Sequence, residues 1–169
     1  MSLKNNEFKI TSNCLHDTKD IGIFLGNSAK PGFNYFLTGD LGTGKTSLTQ
    51  GILKGLGYQG YVHSPTFVLM TEYECNLHVN HIDLYRLPNQ NQIDDLMLDE
   101  QLESGDCLNI IEWADKSDYL KNIPHMQINL KHIQHNSRKL NLSTDFEMYH
   151  ETISSFKKID LKCKGRCEQ

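Results

Sequence analysis

Long apolar runs are absent from this sequence. No stretch reaches the roughly 18 apolar residues that a membrane-spanning helix requires. Residues 1–7 are mostly polar and lack the apolar core of a secretory signal peptide. We therefore expect a cytoplasmic protein with no membrane partner.

Positive charge is also scarce, and arginine most of all. Lys and Arg number 17 against 21 Asp and Glu, a net charge of −4, which disfavours strong binding of nucleic acid through charge alone. Of the arginines Arg86, Arg138 and Arg166, only the first lies within residues 1–137. Enzymes that move phosphoryl groups between two phosphate-bearing substrates use several arginines. The sequence therefore suits a weak ATPase helped by a partner better than a self-sufficient nucleotide kinase.

The cysteines show no disulfide pattern. Their number, five, is odd, and their spacing is scattered. Without a secretory signal, free thiols are expected rather than a disulfide framework. Cys163 and Cys167 could bind a metal or oxidise, but no second Cys/His pair stands beside them at zinc-site spacing, so no structural zinc is expected.

The chain length of 169 residues is that of one domain, and strands alternate with helices along it. We expect residues 1–156 to form an α/β domain with a mixed sheet and residues 157–169 to be a charged, flexible tail. A first helix over residues 15–29 would be capped by Asp17 or Thr18. The other predicted helices are 47–56, 92–103 and 148–156. The predicted strands are 35–38, 67–70, 77–84, 107–112, 125–133 and 139–142.

One segment matches the phosphate-binding pattern G-x-x-x-x-G-K-[ST] in full. It consists of Gly39, Asp40, Leu41, Gly42, Thr43, Gly44, Lys45 and Thr46, followed by Ser47. Glycines let successive backbone N–H groups curl around phosphate oxygens, and the next helix adds its positive end. Lys45 would supply charge to the β- and γ-phosphates, and Thr46 a hydroxyl to Mg²⁺. The predicted strand before the motif and helix after it favour a real P-loop over a chance glycine-rich turn.

Two carboxylates follow apolar strands downstream, where a P-loop protein holds its metal. Asp83 and Glu112 are the candidates, and at least one should orient Mg²⁺ or its water; spacing does not rank them. His81, on the Asp83 strand, is more typical of a hydrogen-bonded core histidine than of a general base.

Ser64, Pro65 and Thr66 stand between the P-loop helix and the next predicted strand. P-loop enzymes often keep a γ-phosphate-sensing switch there, although an ordinary turn is equally consistent with the residues. Trp113, which is the single tryptophan, is either a core aromatic or a platform near the nucleotide or a partner.

Four blocks together resemble the bacterial TsaE family, formerly YjeE. They are residues 39–46, residues 64–67 with Glu72 and Tyr73, residues 81–86 and residues 111–113, in family order over about residues 15–135. The resemblance implies a P-loop NTPase-like, mostly parallel mixed sheet flanked by helices, with ATP and Mg²⁺ binding and slow hydrolysis. It also implies two protein partners, a threonylcarbamoyl transferase of the actin-like ATPase type and its inactive paralogue. Together they attach threonylcarbamoyl to an adenosine next to the tRNA anticodon, and ATP hydrolysis by this subunit resets the complex.

The resemblance also implies residue roles. Gly42 to Thr46 would bind phosphate, Thr46 and Glu112 would take Mg²⁺, and Asp83 would support the metal. Residues 64–66 would form the switch, and the first helix near Thr18 would approach the adenine. Trp113 would be a neighbour of the site at which substitution affects function. The sequence departs from the family pattern at two places: Thr43 stands where Ala is more usual, and Ala114–Asp115 follows Trp113 where Pro-Glu is common. Neither change removes a hydrogen-bond donor or a charge.

Two other functions use the same phosphate cradle. A small-molecule kinase would need an acceptor pocket and an arginine-bearing lid, and the sequence shows neither clearly. A nucleotide-dependent binding module would bind without hydrolysing.

Overall fold

The computed structural model describes residues 6–96 and 98–158, without the side chains of residues 94, 99, 100 and 158. Within these residues the chain forms seven strands and five α-helices. The strands are β1 (Glu7–Ser12), β2 (Asn34–Thr38), β3 (Met70–Glu74), β4 (His78–Asp83), β5 (Leu108–Glu112), β6 (Met126–His132) and β7 (Arg138–Ser143). The helices are α1 (Leu15–Ser28), α2 (Lys45–Gly55), α3 (Gln90–Asp94), α4 (Asp99–Glu103) and α5 (His150–Lys158). Three short 3₁₀ helices cover Ala114–Lys116, Tyr119–Asn122 and Glu147–Tyr149.

All seven strands belong to one mixed sheet with the order β1-β7-β6-β2-β5-β4-β3. The central strands β6, β2, β5 and β4 run parallel, and β3, β7 and β1 pair antiparallel at the two sides. The strand before the P-loop, β2, is buried along its whole length, as expected for a central parallel strand covered on both faces. The predicted fold class, a mixed and mostly parallel sheet flanked by helices, is confirmed.

Two hydrophobic layers hold the sheet. Leu37 of β2 belongs to the layer that includes core residues of α1, α2 and α5, whereas its neighbour Phe36 belongs to the layer that includes core residues of α3, α4 and two 3₁₀ helices. The alternation along β2 sends successive side chains to opposite faces. The P-loop therefore leaves the sheet between two packed layers, on a rigid base.

Helices α1 and α2 approach each other through facing glycines. A Cβ added at Gly26 would lie 2.2 Å from the carbonyl oxygen of Ile52, and one at Gly51 would lie 2.2 Å from that of Lys19. Real Cβ atoms do not come so close, so the crossing requires glycine at both positions. This contact fixes α2, and with it the P-loop, against α1.

A chain of buried asparagine amides crosses three parallel strands on the other face. Asn109 of β5 donates to the side-chain oxygen of Asn34 on β2 at 2.8 Å, and Asn80 of β4 donates to that of Asn109 at 2.9 Å. All three residues are at most 5% exposed, and they are direct register partners. Each buried amide thus finds a partner across the strand boundary.

The structure corrects several predicted boundaries. Residues 67–69 form a turn, and the strand begins only at Met70. The helix predicted over 92–103 is two short helices, α3 and α4. Helix α2 begins at Lys45, two residues before the predicted start, because Gly44 already occupies its N-cap position. Strand β1 was not predicted, since its Phe8 and Ile10 form too short an apolar pattern.

The cap of α1 and one cysteine differ from expectation as well. The N-cap is Cys14 rather than Asp17 or Thr18, although the Asp17 carboxylate accepts the N–H of Asn13 at 2.9 Å. Cys14 is disulfide-bonded, so the expectation of a free thiol is wrong there and holds for Cys75 and Cys107. Cys163, Cys167 and most of the predicted tail lie outside the described residues. None of the helices among the described residues combines the length and the apolar composition of a membrane span.

Candidate nucleotide-binding site

A cleft of about 330 Å³ opens where β2, β4 and β5 end. The register pairs Asp83 with Glu112 across β4 and β5, and Leu37 with Glu112 across β2 and β5. Both carboxylates therefore emerge at the same edge of the sheet as the P-loop. The cleft is lined by Leu41, Gly42, Gly44, Lys45, Thr46, Ser47, Ser64, Thr66, Asp83, Tyr85, Glu112 and Trp113.

The P-loop backbone depends on glycine in two ways. Gly44, with φ +103°, caps α2 in the left-handed region that other residues avoid. Gly39 has φ +132°, and a Cβ there would lie 2.2 Å from the carbonyl oxygen of Leu130. Gly42, with φ +77°, has open space where a Cβ would stand, so the loop leaves room on the cleft side. The buried Thr43 hydroxyl closes the turn by donating to the Asp40 carbonyl at 2.8 Å.

The Lys45 ammonium group is held by the loop itself and by a ring. Its Nζ donates to the carbonyls of Gly39 at 2.7 Å and Asp40 at 2.9 Å, and it lies 3.9 Å from the centroid of the Trp113 ring. Burial lowers the pKa of Lys45 below its ordinary value, against the opposing pull of Glu112 and Asp83. Trp113 itself has φ +62°, uncommon for a bulky residue, and its N–H donates to the Leu37 carbonyl at 2.9 Å. An anionic ligand would compete with these contacts for the ammonium group.

Thr46 and Glu112 meet directly, although 66 residues separate them in the chain. The Thr46 hydroxyl lies 3.1 Å from Oε1 and 3.3 Å from Oε2 of Glu112. Glu112 Oε1 also lies 2.9 Å from Nε2 of His81. Of the two predicted carboxylates, Glu112 is the one at the P-loop hydroxyl.

Asp83 is bound to the segment 64–66 instead. Its Oδ2 accepts hydrogen bonds from the hydroxyls of Ser64, at 2.6 Å, and of Thr66, and its Oδ1 accepts the Tyr85 N–H at 2.9 Å. The turn after Pro65 is closed by the N–H groups of Val68 and Leu69, which donate to the Pro65 carbonyl at 2.9 and 2.7 Å. The candidate switch is thus tied to a strand-end carboxylate rather than being a free turn.

Thr18 and Arg138 lie close to Gly44 of the P-loop. A Cβ on Gly44 would stand 3.8 Å from the Thr18 methyl and 4.0 Å from Nε of Arg138. Thr18 is buried, with its hydroxyl 2.6 Å from that of Ser12, so its methyl group, not its hydroxyl, is the part nearest the loop. Nothing in the local sequence indicates that Arg138 lies beside Gly44, because this position results from the pairing of β7 with β6 and β1.

The site's donors suit a magnesium ion that shares its ligands with phosphate. Among the described residues, no group of three or more His, Cys, Asp or Glu could hold a metal ion. The Thr46 hydroxyl and the carboxylates of Asp83 and Glu112 lie at the cleft, and these are the hard oxygen donors that Mg²⁺ takes alongside water and substrate phosphates.

A glycine loop that leaves a central parallel strand and opens a helix, beside carboxylates at neighbouring strand ends, defines the P-loop NTPase class of α/β proteins. Within that class, the family model described as "Threonylcarbamoyl adenosine biosynthesis protein TsaE" matches residues 12–140. The chain belongs to the TsaE family.

Relatives and a solved structure agree with this assignment. A protein of Bacillus subtilis named "tRNA threonylcarbamoyladenosine biosynthesis protein TsaE" is 36% identical over 143 residues, covering 82% of this chain and 88% of that protein. The protein of the same name from Haemophilus influenzae is 33% identical over 122 residues, 72% of this chain and 76% of the relative. The crystal structure of Bacillus subtilis YdiB superposes with a TM-score of 0.77 at 28% identity, covering 92% of this chain and 97% of the other.

Proposed function

We propose that this chain binds ATP with Mg²⁺ and hydrolyses it slowly, as a subunit of the complex that places threonylcarbamoyl on an adenosine next to the tRNA anticodon. Hydrolysis would reset the complex between turnovers. The partners would be the transferase of the actin-like ATPase type and its inactive paralogue, with tRNA contacted through them. Membership of a tRNA threonylcarbamoyladenosine biosynthesis family supports the pathway.

The observation that carries the ATPase proposal is the contact between Thr46 and Glu112 beside Lys45. A hydroxyl at the start of the P-loop helix is bonded to a strand-end carboxylate on a side chain that is 3% exposed. A buried carboxylate needs compensation, and a metal ion shared with phosphate would supply it.

Each residue then has a defined task. The backbone N–H groups of residues 42–46 would bind phosphate oxygens, and Lys45 would leave its carbonyl partners for the β- and γ-phosphates. Thr46 and Glu112 would hold Mg²⁺, which when bound neutralises charge on the phosphates and polarises the bond to be broken. Asp83 would keep residues 64–66 at the γ-phosphate end of the cleft.

Slow hydrolysis by the isolated chain follows from the placement of its arginines. Arg86 stacks on the ring of Phe67 at 3.9 Å, and Nε of Arg138 would lie 4.0 Å from a Cβ on Gly44. Neither lines the cleft, so among the described residues no guanidinium is placed to stabilise transferring phosphate. An arginine supplied by a partner often raises such rates by orders of magnitude.

Phosphate release from ATP, with and without the two partners and tRNA, tests the proposal. We expect slow basal release that Lys45→Ala abolishes and that the assembled complex alters. Release that stays at zero even with the partners would contradict an ATPase and favour a binding module. Transfer of the phosphate to a small acceptor would indicate a kinase.

A further inference from the structure

His81 lies directly behind the catalytic carboxylate, outside the cleft. Its side chain is 0% exposed, that of Glu112 is 3% exposed, and Nε2 lies 2.9 Å from Oε1. His81 is absent from the residues that line the cleft. The imidazole therefore cannot touch a bound nucleotide, and its influence has to pass through Glu112.

The hydrogen-bond chemistry fixes which way this contact runs. A carboxylate oxygen accepts hydrogen bonds, so Nε2 of His81 is the donor in this contact. The other ring nitrogen, Nδ1, is buried and has no hydrogen-bond partner. A purely structural histidine would usually use both nitrogens, since each unpaired buried polar atom costs stability. In His81 only Nε2 makes a hydrogen bond, and its partner is Glu112.

Strand geometry makes the contact rigid. His81 and Asp83 are two residues apart on β4 and face the same side, and Asp83 is the register partner of Glu112 on β5. The Tyr73 ring of β3 lies 6.3 Å from the His81 ring. Glu112 thus receives one donor from the rear, His81, and one from the front, Thr46.

We propose that His81 is a positioning residue for the ATPase reaction. It holds Oε1 of Glu112 from behind, so that the carboxylate stays aimed at Thr46 and the metal ion that the two would share. The inference rests on the proposed function and adds a residue to it. Groups that orient a metal-binding side chain in this way typically change metal affinity or activity by about 10- to 100-fold.

Replacing His81 by two amides of different length distinguishes a role in orienting Glu112 from a role in core packing. The amide of Gln extends to about where Nε2 stands in histidine, whereas that of Asn ends near Nδ1 and falls short of Glu112. We expect His81→Asn to lower kcat by about 10- to 100-fold with little change in ADP affinity measured without metal, and His81→Gln to restore most of the loss. His78→Asn, on the same strand but at the surface, is the matched control and should retain wild-type values.

A second measurement does not depend on hydrolysis. Binding of Mn²⁺ to the ADP complex, followed by electron paramagnetic resonance, should weaken about 10-fold or more in His81→Asn and recover in His81→Gln. Equal Mn²⁺ affinity in the wild type and both variants would overturn the inference, as would equal losses in Asn and Gln variants that keep the wild-type melting temperature. A wild type that binds Mn²⁺·ADP but never hydrolyses ATP would instead contradict the proposed function, leaving the Mn²⁺ comparison to decide on His81.

Discussion

The Lys45 ammonium group lies over the face of the Trp113 ring, 3.9 Å from its centroid. The same nitrogen donates to two carbonyls of its own loop. A lysine that binds phosphate must give up some of these contacts, and Trp113, the single tryptophan in the chain, would sense the change.

Adding ADP with Mg²⁺ should therefore change the intrinsic tryptophan emission. Lys45→Ala should abolish this change and weaken ADP binding by about 10- to 100-fold, because a charge-assisted hydrogen bond is lost. Fluorescence titration and calorimetry measure the two effects. Lys54→Ala, at the exposed end of α2, is the control. Wild-type affinity in Lys45→Ala would rule out phosphate binding at this loop.

Glu112→Gln should reduce hydrolysis much more than nucleotide binding. The amide fills the same space but removes the negative charge beside Thr46, and we expect kcat to fall by about 100-fold. Steady-state phosphate release and calorimetry with ADP separate the two quantities. The exposed Glu103→Gln serves as control. Equal losses of rate and affinity, with a lowered melting temperature, would point to a folding role instead.

Removing the hydroxyls that bind Asp83 should loosen the segment 64–69. In Ser64→Ala with Thr66→Val, Oδ2 of Asp83 loses both donors. Hydrogen exchange of the Val68 and Leu69 amides, which close this turn, should become faster. Ser104→Ala, whose hydroxyl donates to the Gln101 carbonyl at the surface, should leave that exchange unchanged. Unaltered exchange in the double variant would show that Asp83 does not hold the segment.

Gly26→Ala should destabilise the fold by about 1–3 kcal/mol. The new Cβ would stand 2.2 Å from the Ile52 carbonyl oxygen, so α1 and α2 would have to separate. Urea unfolding measures the loss. Asn27→Ala, next in the helix and exposed, should change the free energy of unfolding little. An alanine variant at position 26 as stable as the wild type would mean that the helices can shift without penalty.

Stability should fall as the pH is lowered below about 6.5, in part through His125. Burial lowers the pKa of His125, outweighing the opposing effects of the Ile123 carbonyl and Asp145. The unfolded chain therefore binds the proton first, and stability is lost between the ordinary pKa and the folded one. His125→Phe keeps a ring against Phe36, which His125 stacks on at 4.3 Å, but cannot titrate. Thermal unfolding across this range should show a weaker pH dependence in the variant; an identical dependence would exclude His125 as a source.

The sequence predicted the fold class and the P-loop because both depend on local patterns. A glycine-rich loop between an apolar strand and a helix is visible in adjacent residues, and Lys45 and Thr46 follow from it. The spacing of the residues alone did not rank Asp83 against Glu112, whereas the resemblance to the TsaE family implied the division, with Glu112 at the metal and Asp83 in support. It depends on which strands are neighbours in the sheet and on which hydroxyl each carboxylate faces, and these are long-range facts.

The errors have physical causes of the same kind. Residues 67–69 have a strand-like composition, yet the hydrogen bonds to Pro65 and the positive φ of Leu69 make them a turn. Residues 92–103 have helical spacing but form two short helices. Arg138 gave no signal, because its place beside Gly44 results from strand pairing at a distance.

The asparagine chain across β2, β5 and β4 has a consequence for the chemistry. A slip of β5 by one position would turn each of its side chains to the opposite face of the sheet, and would move Glu112 away from Thr46. The same slip would break the two hydrogen bonds that join the side chains of Asn34, Asn109 and Asn80 in the interior. The asparagine contacts, about 10 Å from the cleft, thus disfavour a shifted register of β5. They support the alignment of Glu112 with Thr46, on which ATP cleavage would depend.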